Sequence, residues 1–164
     1  MKILLTGGAG YIGSHVLLSI IENKHEVVVI DDLSTGNKKL IPENIKLINT
    51  NINNSEKISN LLVEENFDLL LHFAGFIKVE ESVQKPDKYF KNNTDNAIEL
   101  FETCYKHNLQ NIIFSSTAAA YGNPSNNESI REDEPLNPLN PYGESKVKTE
   151  EYLLNNKDKF NSII

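Results

Sequence analysis

The chain is poor in cysteine and has no long apolar run. It contains a single cysteine, Cys104, among 164 residues. One cysteine excludes an internal disulfide, so we expect a reducing, cytoplasmic location. No apolar run approaches the roughly 20 residues that a membrane-spanning helix requires, and no membrane association is expected. Only three apolar residues precede the first glycines, too few for a secretory signal.

Positive charge is also scarce. Lysine and arginine number 16 against 23 acidic residues, which gives a formal net charge of −7. Nucleic acids and anionic membranes are bound largely by Lys and Arg, so neither is expected as the main partner. The histidines lack the spacing of metal ligands, and no metal site is expected. The length is sufficient for one domain with a sizeable core.

A glycine-rich turn near the N-terminus organises the rest of the chain. The segment MKILLTGGAGYIG, residues 1–13, is typical of a short buried strand, a tight turn and the start of a helix. Gly7, Gly10 and Gly13 supply bare backbone where such a turn needs it. A pyrophosphate can then bind the N-terminal amides of the helix. An accidental Gly-rich turn is the alternative, but Asp31 at the end of the next strand favours a dinucleotide site.

Strands and helices alternate along the chain. Apolar periodicity and turn residues predict strands at 3–5, 26–31, 45–48, 68–73 and 111–116, and the opening of a sixth strand at 160–164. Helices are predicted at 11–23, 53–65, 86–107 and 140–155, with Asn53 and Asn140 as the N-caps of the second and fourth. Residues 122–139 are predicted to form a loop. This pattern predicts an α/β fold with a doubly wound parallel sheet of the Rossmann type, in the order 3-2-1-4-5 with a partial sixth strand.

Asp31 favours NAD as the cofactor. A carboxylate at this position can accept hydrogen bonds from ribose hydroxyls and repels a 2′-phosphate, and no Arg follows nearby. A solvated turn is the alternative for Asp31 and Asp32. The small residues Ala74 and Gly75, after Phe73, would let the cofactor approach the backbone, although close packing explains them nearly as well.

Tyr142 and Lys146 form a Y-x-x-x-K pair on the last predicted helix. Residues four apart lie on the same face of a helix, so the ammonium can stand beside the phenol. A nearby cation favours the phenolate, and the pair can therefore act as a general base. A chance pair on an exposed face is the alternative. Thr117, which follows the fifth strand, supports the catalytic interpretation because its hydroxyl can bind the same substrate oxygen.

Five motifs in this order carry a resemblance to a known family: TGGAGYIGSH, HFAGF, ESVQKP, FSSTAAAYG and NPYGESK. The chain resembles, over essentially its whole length, the extended short-chain dehydrogenase/reductase family, and within it the 4-epimerases of nucleotide sugars. The resemblance implies that Tyr142 is the catalytic base, that Lys146 binds the nicotinamide ribose and tunes that base, and that Thr117 is the catalytic Ser/Thr. It also implies cofactor contacts at Gly7, Gly10, Tyr11, Ile12, Gly13, Asp31, Asp32, Leu33, Asn51, Ile52, Phe73, Ala74, Gly75, Asn93, Tyr142 and Lys146.

The implied activity is NAD-dependent epimerisation at C4 of a UDP-hexose, with UDP-glucose and UDP-galactose as the expected pair. Tyr142 would take the proton of the 4-hydroxyl while hydride leaves C4, and the 4-keto sugar would receive the hydride on its other face. Related dehydratases and decarboxylases carry an acidic residue shortly after the Ser/Thr. Here Ala118, Ala119 and Ala120 follow Thr117, which favours chemistry confined to C4.

The sequence also departs from the family pattern. Asn51 stands where Asp is common and Asp32 where Asn is common. Family members are about twice as long, so we expect residues 1–164 to be an NAD-binding domain incomplete at its C-terminus, without the small substrate-binding domain. The full-length form is expected to be a homodimer. Two alternatives remain open: another nucleotide-sugar enzyme of the family, or an NAD-binding module without catalytic activity.

Overall fold

The computed structural model describes residues 1–123 and 129–164, and its centre is a six-stranded parallel sheet. The strands are β1 (Lys2–Thr6), β2 (Glu26–Asp31), β3 (Lys46–Asn49), β4 (Leu69–His72), β5 (Asn111–Phe114) and β6 (Asn161–Ile163). Their spatial order is β3-β2-β1-β4-β5-β6. The predicted order is confirmed, and the sixth strand pairs with β5 at the edge of the sheet.

Within the described ranges, α-helices connect these strands. They are α1 (Tyr11–Glu22), α2 (Ser55–Glu64), α3 (Val79–Gln84), α4 (Pro86–Tyr89), α5 (Asn96–Lys106) and α6 (Pro141–Asn155). Alternate residues of β1 enter two separate apolar clusters: Leu4 packs with α2 and α5, and Leu5 packs with α1. Both faces of the sheet are therefore covered, as expected for β-branched strands without polar alternation.

The prediction of one long helix over residues 86–107 was wrong. Helix α4 is followed by a π-helical turn, Phe90–Asp95, and only then by α5. In this turn the hydroxyl of Thr94 donates to the carbonyl oxygen of Ser145 at 2.8 Å, and the carbonyl oxygen of Asn93 accepts from Thr149 at 2.8 Å. Contacts with α6 therefore accompany the wider turn, a feature common at functional sites.

Two smaller differences have local causes. Helix α3 was not predicted, and it is separated from α4 by Lys85, because the residue before Pro86 is disfavoured in helical geometry. Helix α2 is capped by Asn54, whose side chain accepts from the amide of Lys57 at 3.1 Å, instead of by Asn53. Of the predicted loop at 122–139, residues 124–128 lie outside the described residues.

Cys104 lies on the buried face of α5 and is fully buried in the core. Burial raises the pKa of its thiol to about 12, so it packs as an apolar residue and is not a nucleophile. Within residues 1–123 and 129–164, no helix combines the length and the apolarity needed to cross a bilayer. The same residues contain no group of three or more His, Cys, Asp or Glu side chains arranged to hold a metal ion.

Candidate cofactor and catalytic site

An open cleft of about 570 Å³ lies beyond the carboxyl ends of β1, β2 and β4. In a sheet of this order, successive strands are added on one side of β1 up to β3 and on its other side from β4 onwards, and ligands bind at this switch between β1 and β4. Nine of the residues predicted from sequence line the cleft: Gly7, Gly10, Asp31, Asp32, Asn51, Ile52, Phe73, Ala74 and Gly75. It is also lined by residues that were not predicted: Ile30, Ser34, Thr35, Gly36, Thr50, Phe76 and Asn92. Their sequence signal was weak, because most of them only flank the predicted positions.

The glycine turn brings three backbone segments together. Gly7 has a left-handed φ of 74°, and a Cβ there would lie 2.6 Å from the amide nitrogen of Ala74. A Cβ on Gly13 would lie 2.1 Å from the carbonyl oxygen of Gly7. Both contacts are too short for any side chain, so these glycines let β1, β4 and α1 pack directly on one another. The cleft therefore has a floor of bare backbone.

Helix α1 begins at Tyr11, directly after the glycine turn, at the edge of the cleft. The amides of Tyr11, Ile12 and Gly13 belong to its first turn, where helix geometry provides no intrahelical acceptor. The side chains of Tyr11 and Ile12 are 80% and 58% exposed and do not line the cleft. These two residues can therefore contact a cofactor in the cleft through their backbone amides, which suit a phosphate.

Asp31 is held rigidly at the end of β2. It is 9% exposed, and its two carboxylate oxygens accept from the amides of Ala9 and Leu33, both at 2.9 Å. The bond to Leu33, two residues on, is the local side-chain contact typical of Asp in turns, and Leu33 itself adopts a left-handed φ of 58°. The carboxylate thus links the glycine turn to the loop after β2, and Leu33 contributes to the site through its backbone.

Asp32 and Asn51, the two departures from the family pattern, contact each other. The Asn51 amide nitrogen donates to Asp32 at 2.7 Å, and the amide of Ser34 donates to the other carboxylate oxygen at 2.9 Å. Burial raises the pKa of Asp32, but the hydrogen bonds from Ser34 and Asn51 outweigh it and hold the pKa below its ordinary value. Asp32 therefore adds a second negative charge at this end of the cleft.

Asn93 lies in the π-helical turn and joins three parts of the site. It is 2% exposed; its side-chain oxygen accepts from the amide of Phe76 at 2.8 Å, and its side-chain nitrogen donates to the carbonyl oxygen of Phe76 at 2.9 Å. The same nitrogen donates to the hydroxyl of Ser145 at 3.2 Å. Asn93 therefore fixes the loop after β4 against α6 and does not line the cleft itself.

Lys146 is buried at the other end of the cleft, on α6. It is 4% exposed, and its Nζ lies 4.5 Å from the centre of the Phe114 ring. A Cβ placed on Gly75, which lines the cleft, would lie 3.7 Å from this nitrogen. Burial lowers the pKa of Lys146, the negative charge of Glu150 raises that pKa to a smaller extent, and the resulting value is about 8. The ammonium form still predominates at neutral pH.

Tyr142 and Thr117 lie on segments that pack against each other. Thr117 caps a short 3-10 turn, Ala118–Ala120, and accepts from the amide of Ala119 at 3.2 Å. A Cβ on Gly143 would lie 2.7 Å from the carbonyl oxygen of Ala119, so the missing side chain lets this turn approach the first turn of α6, which carries Tyr142. Both predicted catalytic residues are partly exposed.

Sequence reasoning missed two residues near Lys146. Tyr89 is fully buried, with its ring edge-on to Tyr142 at 6.4 Å. Glu150 is 9% exposed and accepts a hydrogen bond from the hydroxyl of Ser116. Its spacing of four residues from Lys146 was a usable signal, since such residues share a helix face.

Comparison with known proteins places the chain in a family. The sequence model that describes the NAD-dependent epimerase/dehydratase family matches residues 3–164 of this chain. The chain belongs to this family. It is 45% identical over 152 residues to the UDP-glucose 4-epimerase of Azospirillum brasilense, a match that covers 93% of this chain and 43% of that protein.

Solved structures agree with this epimerase/dehydratase assignment. The UDP-Glc/GlcNAc 4-epimerase of Campylobacter jejuni superposes with a TM-score of 0.92 at 41% identity, covering 98% of this chain and 51% of that one. The UDP-glucose 4-epimerase of Thermus thermophilus, solved in complex with NAD, gives a TM-score of 0.94 at 30% identity, covering 99% and 53%. The chain spans about half the length of these relatives.

The cleft of this epimerase/dehydratase chain fits the NAD of its family. Its carboxylate end, formed by Asp31 and Asp32, suits ribose hydroxyls and disfavours a 2′-phosphate. Its floor of bare backbone at Gly7 and Gly10 suits a pyrophosphate, as does the N-terminus of α1. Its opposite end holds Lys146, whose ammonium can bind ribose oxygens. Groups that suit the ribose, the pyrophosphate and the second ribose of a dinucleotide therefore lie in this cleft or beside it.

Proposed function

We propose that this site performs NAD-dependent epimerisation at C4 of a UDP-hexose, with UDP-glucose and UDP-galactose as the interconverted pair. The observation that supports the proposal is that Lys146 lies beside Gly75 of the cleft, on the helix that also carries Tyr142, with the turn after Thr117 packed against the start of that helix. The relatives' names support the same activity, since those compared are 4-epimerases of UDP-sugars. We further propose that residues 1–164 act as one NAD-binding unit.

Each of the three side chains has a separate role in this proposal. As the phenolate, Tyr142 removes the proton of the 4-hydroxyl, and the phenol so formed returns that proton after the sugar has turned. The hydroxyl of Thr117 binds the same oxygen and orients it. Lys146 supplies a buried positive charge one helical turn from Tyr142 and binds the nicotinamide ribose. Bound NAD, held by the glycine turn, Asp31 and Lys146, would supply the hydride acceptor and donor for C4.

The sequence directly after Thr117 supports chemistry at C4 alone. Elimination or decarboxylation needs a further general acid or base next to the catalytic Ser/Thr. Ala118, Ala119 and Ala120 follow Thr117 and supply none. Glu150 accepts a hydrogen bond from Ser116, next to Thr117, but does not line the cleft.

The proposal is tested by conversion of UDP-galactose to UDP-glucose in the presence of NAD. Tyr142→Phe removes only the phenolic hydroxyl, and we expect the rate to fall by at least ~100-fold, the contribution typical of general acid–base catalysis. Tyr105→Phe is the matched control, because Tyr105 packs on Phe160 away from the cleft, and it should retain the parental rate. Parental conversion by Tyr142→Phe would contradict the assignment of the base.

Substrate range and assembly remain predictions. The same assay with UDP-N-acetylglucosamine tests whether N-acetylated sugars are accepted, as the name of the Campylobacter jejuni relative implies for that protein. If NAD binds and no UDP-sugar is converted, the chain is an NAD-binding module without catalytic activity, which is the second candidate. The expected homodimer is measured by light scattering.

A further inference from the structure

Glu150 is a buried carboxylate that the chemistry at C4 does not use. It lies on α6 and is 9% exposed. Carboxylates are rarely buried without a partner, because removal from water disfavours the charge. The partner here is Ser116, whose hydroxyl donates to Oε1 of Glu150. This hydrogen bond joins α6 to the end of β5, one residue before Thr117.

The same carboxylate acts on Lys146 through space. Lys146 lies one turn earlier on α6, and the negative charge of Glu150 opposes the effect of burial on its pKa. From β4, Lys146 is faced by His72, whose pKa burial lowers to about 3, with a further contribution from Lys146. His72 is therefore neutral at physiological pH. Among the described residues, Glu150 is the acidic group that affects the pKa of Lys146.

We propose that Glu150 is a positioning residue: it holds Ser116, and with it Thr117, against α6, and it supplies the negative charge beside Lys146. One side chain thereby sets both the spacing of the Thr117 segment from the Tyr142 helix and the charge state of the lysine between them. The catalytic meaning of this role rests on the proposed function. The contact and the charge are properties of the chain itself.

The charge role is tested by titrating Lys146 in the chain labelled with ¹³C at lysine Cε, with Lys146→Met for assignment of the NMR signal. Glu150→Gln removes the charge and should lower the titration midpoint by about one pH unit. Glu150→Asp keeps the charge and should restore the midpoint. Glu144→Gln is the control, because Glu144 is exposed and pairs with Lys148 at 3.1 Å. Equal midpoints in the parent and Glu150→Gln would overturn the charge role.

The contact role is tested by amide hydrogen exchange at Ala119, whose N–H donates to Thr117. Ser116→Ala and Glu150→Asp both break the contact while keeping the charge, and each should speed exchange at Ala119 about tenfold, with exchange in the middle of α5 unchanged. Unchanged exchange in both variants would overturn the contact role. Neither readout needs turnover, so a failure to convert UDP-sugars would remove the proposed function and leave these results standing.

Discussion

At the scale of single residues, the site depends on where side chains are absent. A Cβ on Gly13 would lie 2.1 Å from the backbone oxygen of Gly7, a contact that no rotamer change relieves. Gly10 is different, because its φ of −80° is accessible to alanine and the nearest atom to an added Cβ is 3.2 Å away. The fold therefore requires glycine at Gly13, whereas we expect Gly10, which lines the cleft, to be required by the cofactor.

This difference is testable by two alanine substitutions. Gly13→Ala should lower the free energy of unfolding by about 3 kcal/mol or more, since the backbones of β1 and α1 must separate. Gly10→Ala should change that free energy by less than about 1 kcal/mol but weaken NAD binding about tenfold, because the added methyl group enters the cleft. Urea unfolding and calorimetry measure the two quantities. Equal effects of the two substitutions on stability would contradict the separation of roles.

The sequence predicted the residues whose chemistry depends on local spacing. Gly7, Asp31 and the Tyr142–Lys146 pair were found because a turn, a strand end and a helical turn each leave a short pattern in the chain. The role of Asn93 as a link between the loop after β4 and α6, and the contact of Glu150 with Ser116, were not found. Asn93 and Phe76 are 17 residues apart in the chain, and Ser116 and Glu150 are 34 residues apart. No local sequence pattern encodes contacts over such separations.

At the scale of elements, the strand ends and the helix after β4 determine the shape of the site. Strand β4 ends in His72, whose Nδ1 lies 2.7 Å from the hydroxyl of Thr6 at the end of β1. The ring of His72 stacks on Phe114 of β5 at 5.8 Å. A buried, neutral histidine thus joins three neighbouring strands just below the cleft.

Burial of His72 predicts a specific dependence of stability on pH. Its pKa is about 3 in the folded chain against 6.5 for the free side chain, so between these values the unfolded chain binds the extra proton. Stability should therefore fall as the pH falls below 6.5, with a contribution of up to about 1.4 kcal/mol per pH unit. In His72→Asn this contribution should disappear between pH 6.5 and 5. Identical slopes in urea unfolding of the two proteins would show that His72 titrates normally.

The π-helical turn marks the limit of periodicity as a predictor. Apolar residues continue at helical spacing through residues 86–107, and a single helix was the natural prediction. Hydrogen bonds from α6 to Asn93 and Thr94 accompany the wider turn instead. Tertiary contacts of this kind override local preference, and they occur here where helix α6 meets the loop after β4.

At the scale of the whole molecule, the fold was predictable and the substrate was not. Alternating strands and helices, with a glycine turn after the first strand, allow few topologies, and the observed order is among them. The residues that bind the sugar could not be predicted in the same way, because the chain spans about half the length of its relatives. Within the described residues, the chain forms a cleft lined by groups that suit a dinucleotide.

The most direct test of this account is calorimetric titration of the chain with NAD and with NADP, repeated with Asp31→Ala. We predict saturable binding of one NAD, binding of NADP weaker by at least about tenfold, and loss of most of the NAD affinity in Asp31→Ala. Circular dichroism verifies that the variant is folded. Equal affinity for the two cofactors, or an affinity unaffected by Asp31→Ala, would contradict the assignment of the cleft.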